Sequence, residues 1–184
     1  MLKLAKAEFI IMKSVFRPDK PSGIPHQNLG TLLGMLIGLG FLTFIEGGLV
    51  HVLLVAKFQA HLLAWVLTGI SIYSFLWMIG HYQLLKTRGV EFREDGLYVP
   101  YGMTYQVCIP YGQIEDIQVT SPSKPEPQVL ACCIGGFSNL TLKLKTPVQA
   151  EVLFGVMKRS STTVALYLPE PSKIRAELQV RLQE

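Results

Sequence analysis

Glu46 and His51 are the residues of this 184-residue sequence whose chemistry is most unusual for their surroundings, because both lie in a long apolar run. An ionisable group in such a run faces protein or a water-filled cavity, and it often marks a transport or proton path. Ser71, Tyr73 and Ser74 of a second apolar run are candidate partners for Glu46. In the structural alternative, Glu46 is protonated or bonded to one of these hydroxyls and fixes helix register.

His51 lies five residues after Glu46, which is about 140° further round a helix, so we expect the two side chains to occupy different faces. Together with His61, His51 could bind a metal near the outer end of the second run. Two histidines separated by a turn do not make a metal site by themselves, and we interpret them as interfacial anchors. We therefore predict neither a metal nor a cofactor.

Three cysteines, Cys108, Cys132 and Cys133, lack the spacing of a zinc site or a disulfide framework. The glycines that follow, Gly135 and Gly136, match no phosphate-binding loop, and we interpret this segment as a flexible connection between strands. The sequence also contains no nucleophile elbow, zincin motif, dinucleotide fingerprint or paired catalytic carboxylates. We predict that the protein is not an enzyme.

The two apolar runs, residues 29–55 and 62–85, are each longer than the ~20 residues that a bilayer requires. A carboxylate at the centre of the first run costs about 2.5–3.5 kcal/mol, whereas its Leu, Ile, Phe and Val residues return roughly 5–10 kcal/mol. The short connector, residues 56–61, makes the two helices antiparallel neighbours. The sequence therefore predicts a transmembrane hairpin over residues 29–87.

Basic residues flank this hairpin on one side. Only Lys57 lies in the connector, so the positive-inside rule places both termini in the cytoplasm. The chain is 49% hydrophobic and 16% charged, and its net charge of +4 comes largely from these flanks, so we expect no nucleic-acid partner. The flanking residues are Lys3, Lys6, Lys13, Arg17 and Lys20 before the hairpin and Lys86, Arg88 and Arg93 after it.

Gly30, Gly34 and Gly38 recur every four residues on one stripe of the first apolar run. Small residues at this spacing allow a second helix to approach closely. We favour packing within the hairpin, and the alternative is a homo-oligomer or a partner protein that contacts the stripe.

The segment before the hairpin, residues 1–28, combines an amphipathic helix with a proline-rich connector. Basic residues of Met1–Phe16 fall on one arc, beside an apolar arc that includes Phe9, Met12 and Phe16. Such a helix suits the headgroup region of a membrane, and the alternative is packing on the C-terminal domain. Pro18, Pro21 and Pro25 then form a stiff connector.

The pattern changes after Arg88 to about seven short strands followed by a helix. Strands are predicted near residues 92, 97–99, 105–109, 114–119, 140–145, 152–154 and 164–168. Ser121–Pro127 is predicted to be an exposed loop. A final amphipathic helix begins at Pro171 and carries Ile174, Leu178 and Leu182 on one stripe. Residues 88–184 are therefore predicted to form one cytoplasmic domain.

Several motifs carry a family resemblance. Asp95-Gly96-Leu97, Tyr101-Gly102, Ile109-Pro110-Tyr111-Gly112-Gln113-Ile114 and Leu168-Pro169-Glu170-Pro171 follow one another in this order. They resemble the bacterial pleckstrin-homology-like domains (PH-like domains) found behind transmembrane hairpins in small uncharacterised bacterial membrane proteins. The resemblance implies a PH-like β-barrel or sandwich closed by the last helix, at the cytoplasmic face of the bacterial inner membrane. It implies no catalytic residues.

Those members of the wider PH fold that bind inositol lipids use a cluster of Lys and Arg residues around the first hairpin turn. Here that turn is Glu94-Asp95-Gly96, with Arg93 alone nearby, so we expect no inositol-lipid binding there. The expected function is a non-catalytic, membrane-anchored binding or assembly module that engages a protein through a sheet edge or the Ser121–Pro127 loop. The alternative is an accessory subunit of a transporter or channel that uses Glu46.

Overall fold

A computed structural model of the protein describes residues 2–26 and 28–182, and Met1, Gln27, Gln183 and Glu184 lie outside them. Over these residues the chain forms three helices, a seven-stranded sheet and a final helix, with short 3-10 turns at Tyr111–Gln113 and Ile134–Gly136. The elements are α1 (Leu2–Phe16), α2 (Leu29–Phe58), α3 (His61–Thr87), β1 (Glu91–Phe92), β2 (Leu97–Tyr101), β3 (Tyr105–Ile109), β4 (Ile114–Ser123), β5 (Leu130–Cys132), β6 (Ser138–Val152), β7 (Met157–Leu166) and α4 (Pro171–Arg181).

The two apolar runs form the paired helices α2 and α3. Both are long and apolar enough to cross a membrane, and the most apolar stretch of each is only 0% and 6% buried. The connector is reduced to Gln59 and Ala60, because both helices extend beyond the predicted runs. Gln59 ends α2 in the left-handed conformation, at φ 51°. The hairpin thus exposes a nearly continuous apolar surface.

Helix α1 packs along α3 rather than on the β domain. Its buried face consists of Ala7, Ile11 and Ser14, and the Ser14 hydroxyl donates a hydrogen bond of 3.2 Å to the Gly80 carbonyl of α3. Phe9 and Phe16, on the predicted apolar arc, remain 70% and 73% exposed. Packing on the C-terminal domain is therefore limited to the start of the helix, where Lys3 Nζ donates to the Gly155 carbonyl.

The seven strands form one curled sheet with the shape of a half-barrel. Its order is β1-β2-β3-β6-β7-β5, and β4 also pairs with β6. All pairs are antiparallel except β5 with β7. Ile174 and Leu178 of α4 are buried in the core of the sheet, whereas Leu182 is exposed. The final helix therefore covers the sheet with two of its three predicted apolar residues.

The predicted strands differ from the observed ones at three places. The predicted 140–145 strand continues as β6 through Pro147 to Val152, with a register shift between Lys143 and Val148. The predicted 152–154 strand is wrong, because Leu153 and Phe154 lie in the turn that follows β6. Likewise β4 continues through Pro122 to Ser123, so the first part of the predicted Ser121–Pro127 loop is strand. Bulges of this kind tolerate proline because the local ladder hydrogen bond is already absent. The short parallel strand β5 was not predicted.

The proline-rich connector is tied to the end of α3 by backbone pairing. Ser22 N donates to the Thr87 carbonyl at 3.0 Å, and Gly89 N returns a bond of 2.8 Å to the Ser22 carbonyl. Ile24 and Val90 exchange two bonds, of 2.7 and 2.8 Å. Residues 22–24 therefore act as a clamp beside residues 87–90, where the hairpin enters the β domain.

Candidate functional site

A groove between α2 and α3 is lined by five polar side chains of the hairpin. We call it the polar groove, and its volume is about 260 Å³. Glu46 and His51 both line it. The two side chains lie about 140° apart around α2, and a groove between two helices can be bounded by side chains from both flanks of the contact. The other polar side chains that line it are Thr43, Thr68 and Ser71.

His51 is held by α3. Its Nδ1 lies 3.0 Å from the Thr68 hydroxyl, and its ring packs edge-on against Trp65 at 4.9 Å between centroids. The Thr68 hydroxyl also lies 2.9 Å from the Ala64 carbonyl, to which it can donate. When the hydroxyl donates to Ala64, His51 Nδ1 is the donor to Thr68 and Nε2 carries the lone pair.

The predicted hydroxyl partners of Glu46 donate their protons elsewhere. Ser71 donates to the Leu67 carbonyl at 3.0 Å, and Ser74 donates to the Ile70 carbonyl at 2.9 Å. The Tyr73 hydroxyl donates to the carboxylate of Glu8 in α1. Of the three, Ser71 alone lines the groove with Glu46, where its oxygen can still accept a bond. A carboxyl group, an imidazole and three hydroxyls along one open groove can bind or relay a proton or a small polar solute.

A second groove lies at the same level of the hairpin and shares several lining residues, including Thr43, His51, Thr68 and Ser71. Its volume is about 490 Å³ and its remaining lining is apolar, with Phe44, Trp65 and Phe75 among its side chains. His51 therefore lies at the boundary between a polar and an apolar groove.

Gly30, Gly34 and Gly38 do not pack within the hairpin. A methyl group built on any of them would meet nothing within 4 Å, so the favoured interpretation of the stripe was wrong. Gly40 takes this role instead, because a methyl group there would lie 2.6 Å from the ring of Phe75 in α3. The stripe is turned away from α3, and contact with another helix stays a prediction.

The three cysteines are poorly suited to nucleophilic chemistry. Cys132 and Cys133 are buried, and burial raises the pKa of both thiols. The exposed Cys108 also has a raised pKa, because of partial burial and the nearby Asp95 carboxylate. Cys132 ends strand β5, so the segment is not simply a flexible connection. Within residues 2–26 and 28–182, no group of three or more His, Cys, Asp or Glu side chains could hold a metal.

Two histidines, His26 and His81, lie at the junction of hairpin and β domain, and sequence reasoning had not singled out His26. His26 Nε2 lies 2.8 Å from the Pro100 carbonyl, and its ring packs edge-on against Tyr101. His81 of α3 packs against the other side of this cluster, at 6.3 Å from the Tyr101 ring. Burial lowers the pKa of His26. A lone histidine in a proline-rich connector gives no sequence signal for such a contact, since its neighbours come from distant positions.

Arg93, the basic residue beside the first turn of the sheet, is already engaged by the protein. It forms an ion pair of 2.9 Å with Glu91 and lies 3.6 Å above the ring of Tyr98. The pair, together with a hydrogen bond from Ser22, holds the pKa of the Glu91 carboxyl below its usual value. The positive charge of Arg93 is therefore already paired within the protein.

Comparison of the chain with protein-family models, with curated proteins and with solved structures found no match.

Proposed function

We propose that the protein spans the cytoplasmic membrane of a bacterium twice, with both termini in the cytoplasm, and presents a PH-like domain there as a non-catalytic binding or assembly module. The observation that carries the proposal is the clamp of residues 22–24 against residues 87–90. Its backbone hydrogen bonds join the segment before the hairpin to the segment that follows it, and so fix the β domain to the end of α3. A domain held in this way meets partners in one orientation, which lowers the entropic cost of binding.

A membrane environment is supported by the surface of the hairpin. Phe44 of α2 is 81% exposed, and Leu62 of α3 is 80% exposed. Water would make such a surface a site of aggregation, whereas hydrocarbon is its natural solvent. The basic flanks on the domain side of the hairpin support the cytoplasmic orientation.

Strand β4 is the best candidate for contact with a partner protein. It is ten residues long, and in the described part of the chain it pairs with β6 alone. Its last residues, from Thr120 to Ser123, are exposed. An unpaired strand edge supplies backbone donors and acceptors that an extended segment of another protein can use.

The test is photocrosslinking in native membranes. A photoreactive residue at Thr120 should capture a protein, whereas one at Arg175, exposed on α4, should not. A chain truncated after Thr87 should insert, but the captured protein should not co-purify with it. Equal co-purification of that protein with the truncated hairpin would overturn the proposal, because the partner would then bind α2 or α3.

Orientation is tested separately with reporters fused to either terminus. Cytoplasmic reporters should be active at both ends. Activity of a periplasmic reporter at either end would overturn the proposed topology.

The second candidate function is an accessory subunit of a transporter or channel. It is favoured by the placement of Glu46 and His51 along one polar groove. Two helices do not enclose a path, so further helices would be needed. Glu46→Gln should abolish ion-dependent transport while insertion is retained, and Ser74→Ala, whose hydroxyl bonds to its own helix, should not. A neutral effect of Glu46→Leu would eliminate this function.

A further inference from the structure

We propose that α1 and the turn between β6 and β7 form one surface that docks onto the anionic headgroups of the cytoplasmic leaflet, an inference that rests on the membrane location proposed above. We call residues 153–157 the β6–β7 tip. Docking of the tip would fix the β domain against the membrane at a second place, besides the clamp at the end of α3.

The β6–β7 tip lies beside the hairpin. Leu153 N donates a bond of 3.1 Å to the Met103 carbonyl, and Met103 N donates a bond of 3.2 Å to His81 Nδ1 in α3. On its other side, the Gly155 carbonyl accepts a bond of 3.2 Å from Lys3 of α1. The tip is thus linked to α1 by one hydrogen bond and to α3 by two hydrogen bonds that pass through Met103.

Helix α1 reaches the part of α3 that we place within the membrane. Ile11 covers Gly80, and Glu8 accepts a hydrogen bond from Tyr73, which lies near the middle of α3. The tip is also linked through Met103 to His81, which lies six residues before the end of α3 at Thr87. This link places the tip beside the cytoplasmic end of the hairpin.

The composition of the tip is unusual for a turn in water. Leu153, Phe154 and Gly155 have φ values of 49°, 55° and 86°, in the left-handed region where Asn, Asp or Gly normally occurs. Val156 is exposed, and Met157 is 56% exposed. The turn thus carries four apolar side chains, of which Val156 and Met157 are exposed and Leu153 and Phe154 are half-buried. This composition suits contact with a membrane interface.

The charges beside the tip complement an anionic leaflet. Lys3, Lys6 and Lys158 are exposed around it. The acidic residues nearby are Glu8, which accepts the bond from Tyr73, and Glu151. Because a helix turns by about 100° per residue, the exposed apolar side chains of α1 lie on the side of the helix that is opposite α3. Its basic residues lie along one flank between these two sides. Apolar groups can then enter the interface while the basic groups meet phosphates.

The experiment uses the full chain in nanodiscs with a nitroxide on one introduced cysteine, in a Cys108→Ser background. Met157→Cys reports on the tip and Phe44→Cys on the hairpin. Val180→Cys on α4 is the matched control, because Val180 is also an exposed apolar residue. Its neighbour Arg181 lies near Phe92, at the end of β2 that is opposite the Gly102 turn. Collision rates are measured with oxygen, which concentrates in the bilayer, and with a neutral nickel chelate, which stays in water.

We expect nickel accessibility at position 157 to be several-fold lower than at position 180 in anionic nanodiscs, with oxygen accessibility raised. In zwitterionic nanodiscs, or with Lys6→Gln and Lys158→Gln, the protection at position 157 should decrease. Equal nickel accessibility at positions 157 and 180, with position 44 still protected, would overturn the docking surface alone. Nickel access at position 44 would overturn the membrane location as well. If position 157 is protected from both reagents and its nitroxide spectrum shows dipolar broadening, a second copy of the chain covers the surface. That result would overturn the proposal.

Discussion

Gly102, in the turn between β2 and β3, packs directly against the imidazole ring of His81 in α3. A methyl group at Gly102 would overlap Cε1 and Nδ1 of that ring and would lie 3.1 Å from Cγ of Leu85. The neighbouring Met103 N donates a hydrogen bond to His81 Nδ1. This contact lets the β domain sit against the last turns of the hairpin.

Gly102→Ala should therefore loosen the domain from the hairpin. Gly102 has φ 54°, and this conformation alone costs a residue with a side chain about 1–2 kcal/mol. Unfolding of the purified protein in detergent, followed by circular dichroism, should show at least this loss. Gly112→Ala is the control, because a methyl group there meets nothing within 4 Å. An equal effect of the two substitutions would contradict the contact with His81.

Gly80→Ala should displace α1 from α3. A methyl group at Gly80 would lie 2.6 Å from Cγ2 and 2.9 Å from the carbonyl oxygen of Ile11, and overpacking of this kind costs about 1–3 kcal/mol. Tryptic cleavage after Lys6 and Lys13 should become faster. Gly69→Ala, on the same helix with nothing within 4 Å, should leave cleavage unchanged. Unchanged cleavage in both variants would argue against the packing of α1 on α3.

Asn139→Ala should destabilise the β domain more than most single substitutions. The buried Asn139 amide donates to the Leu168 carbonyl at 2.8 Å and accepts from Leu168 N at 3.0 Å. Removal of this pair leaves two buried backbone groups unpaired, and we expect a loss of about 2–4 kcal/mol. Chemical denaturation measures the loss, with the exposed Lys143→Ala on the same strand as the control. A loss no greater than that of the control would show that water or another group replaces the amide.

The junction should weaken as the solution is acidified. Burial among Pro100, Tyr101 and the end of α3 lowers the pKa of His26 below its ordinary value of 6.5. Just below pH 6.5, His26 therefore binds a proton in the unfolded chain but not in the folded chain. The stabilising contribution is complete above pH 6.5 and is lost as the pH falls from 6.5 towards the lowered pKa. The melting temperature at pH values on both sides of 6.5 should show this decline, and His26→Gln should reduce its slope; an unchanged slope would assign it to other groups.

The local sequence pattern was sufficient to predict those helices and strands whose formation depends mainly on their own composition. The apolar runs from Leu29 and Leu62 are long enough to specify α2 and α3 without reference to the rest of the chain. The same is true of strand β3, predicted and found at 105–109, and of α4, which begins at Pro171 as expected. Polar residues in an apolar run also drew attention to Glu46 and His51, which line one groove.

The remaining features depend on partners distant in sequence. Gly30 and Gly40 are both small residues in one apolar helix, and only the placement of Phe75 shows that Gly40 faces α3 and that Gly30 does not. His26 acquires its burial from Pro100 and Tyr101, more than 70 positions away. Pairing with β6 carries β4 through Pro122, against the local preference. The sequence alone therefore determined a two-helix hairpin followed by a β domain, whereas long-range packing decided which faces meet, because side-chain contacts are set by neighbours in space.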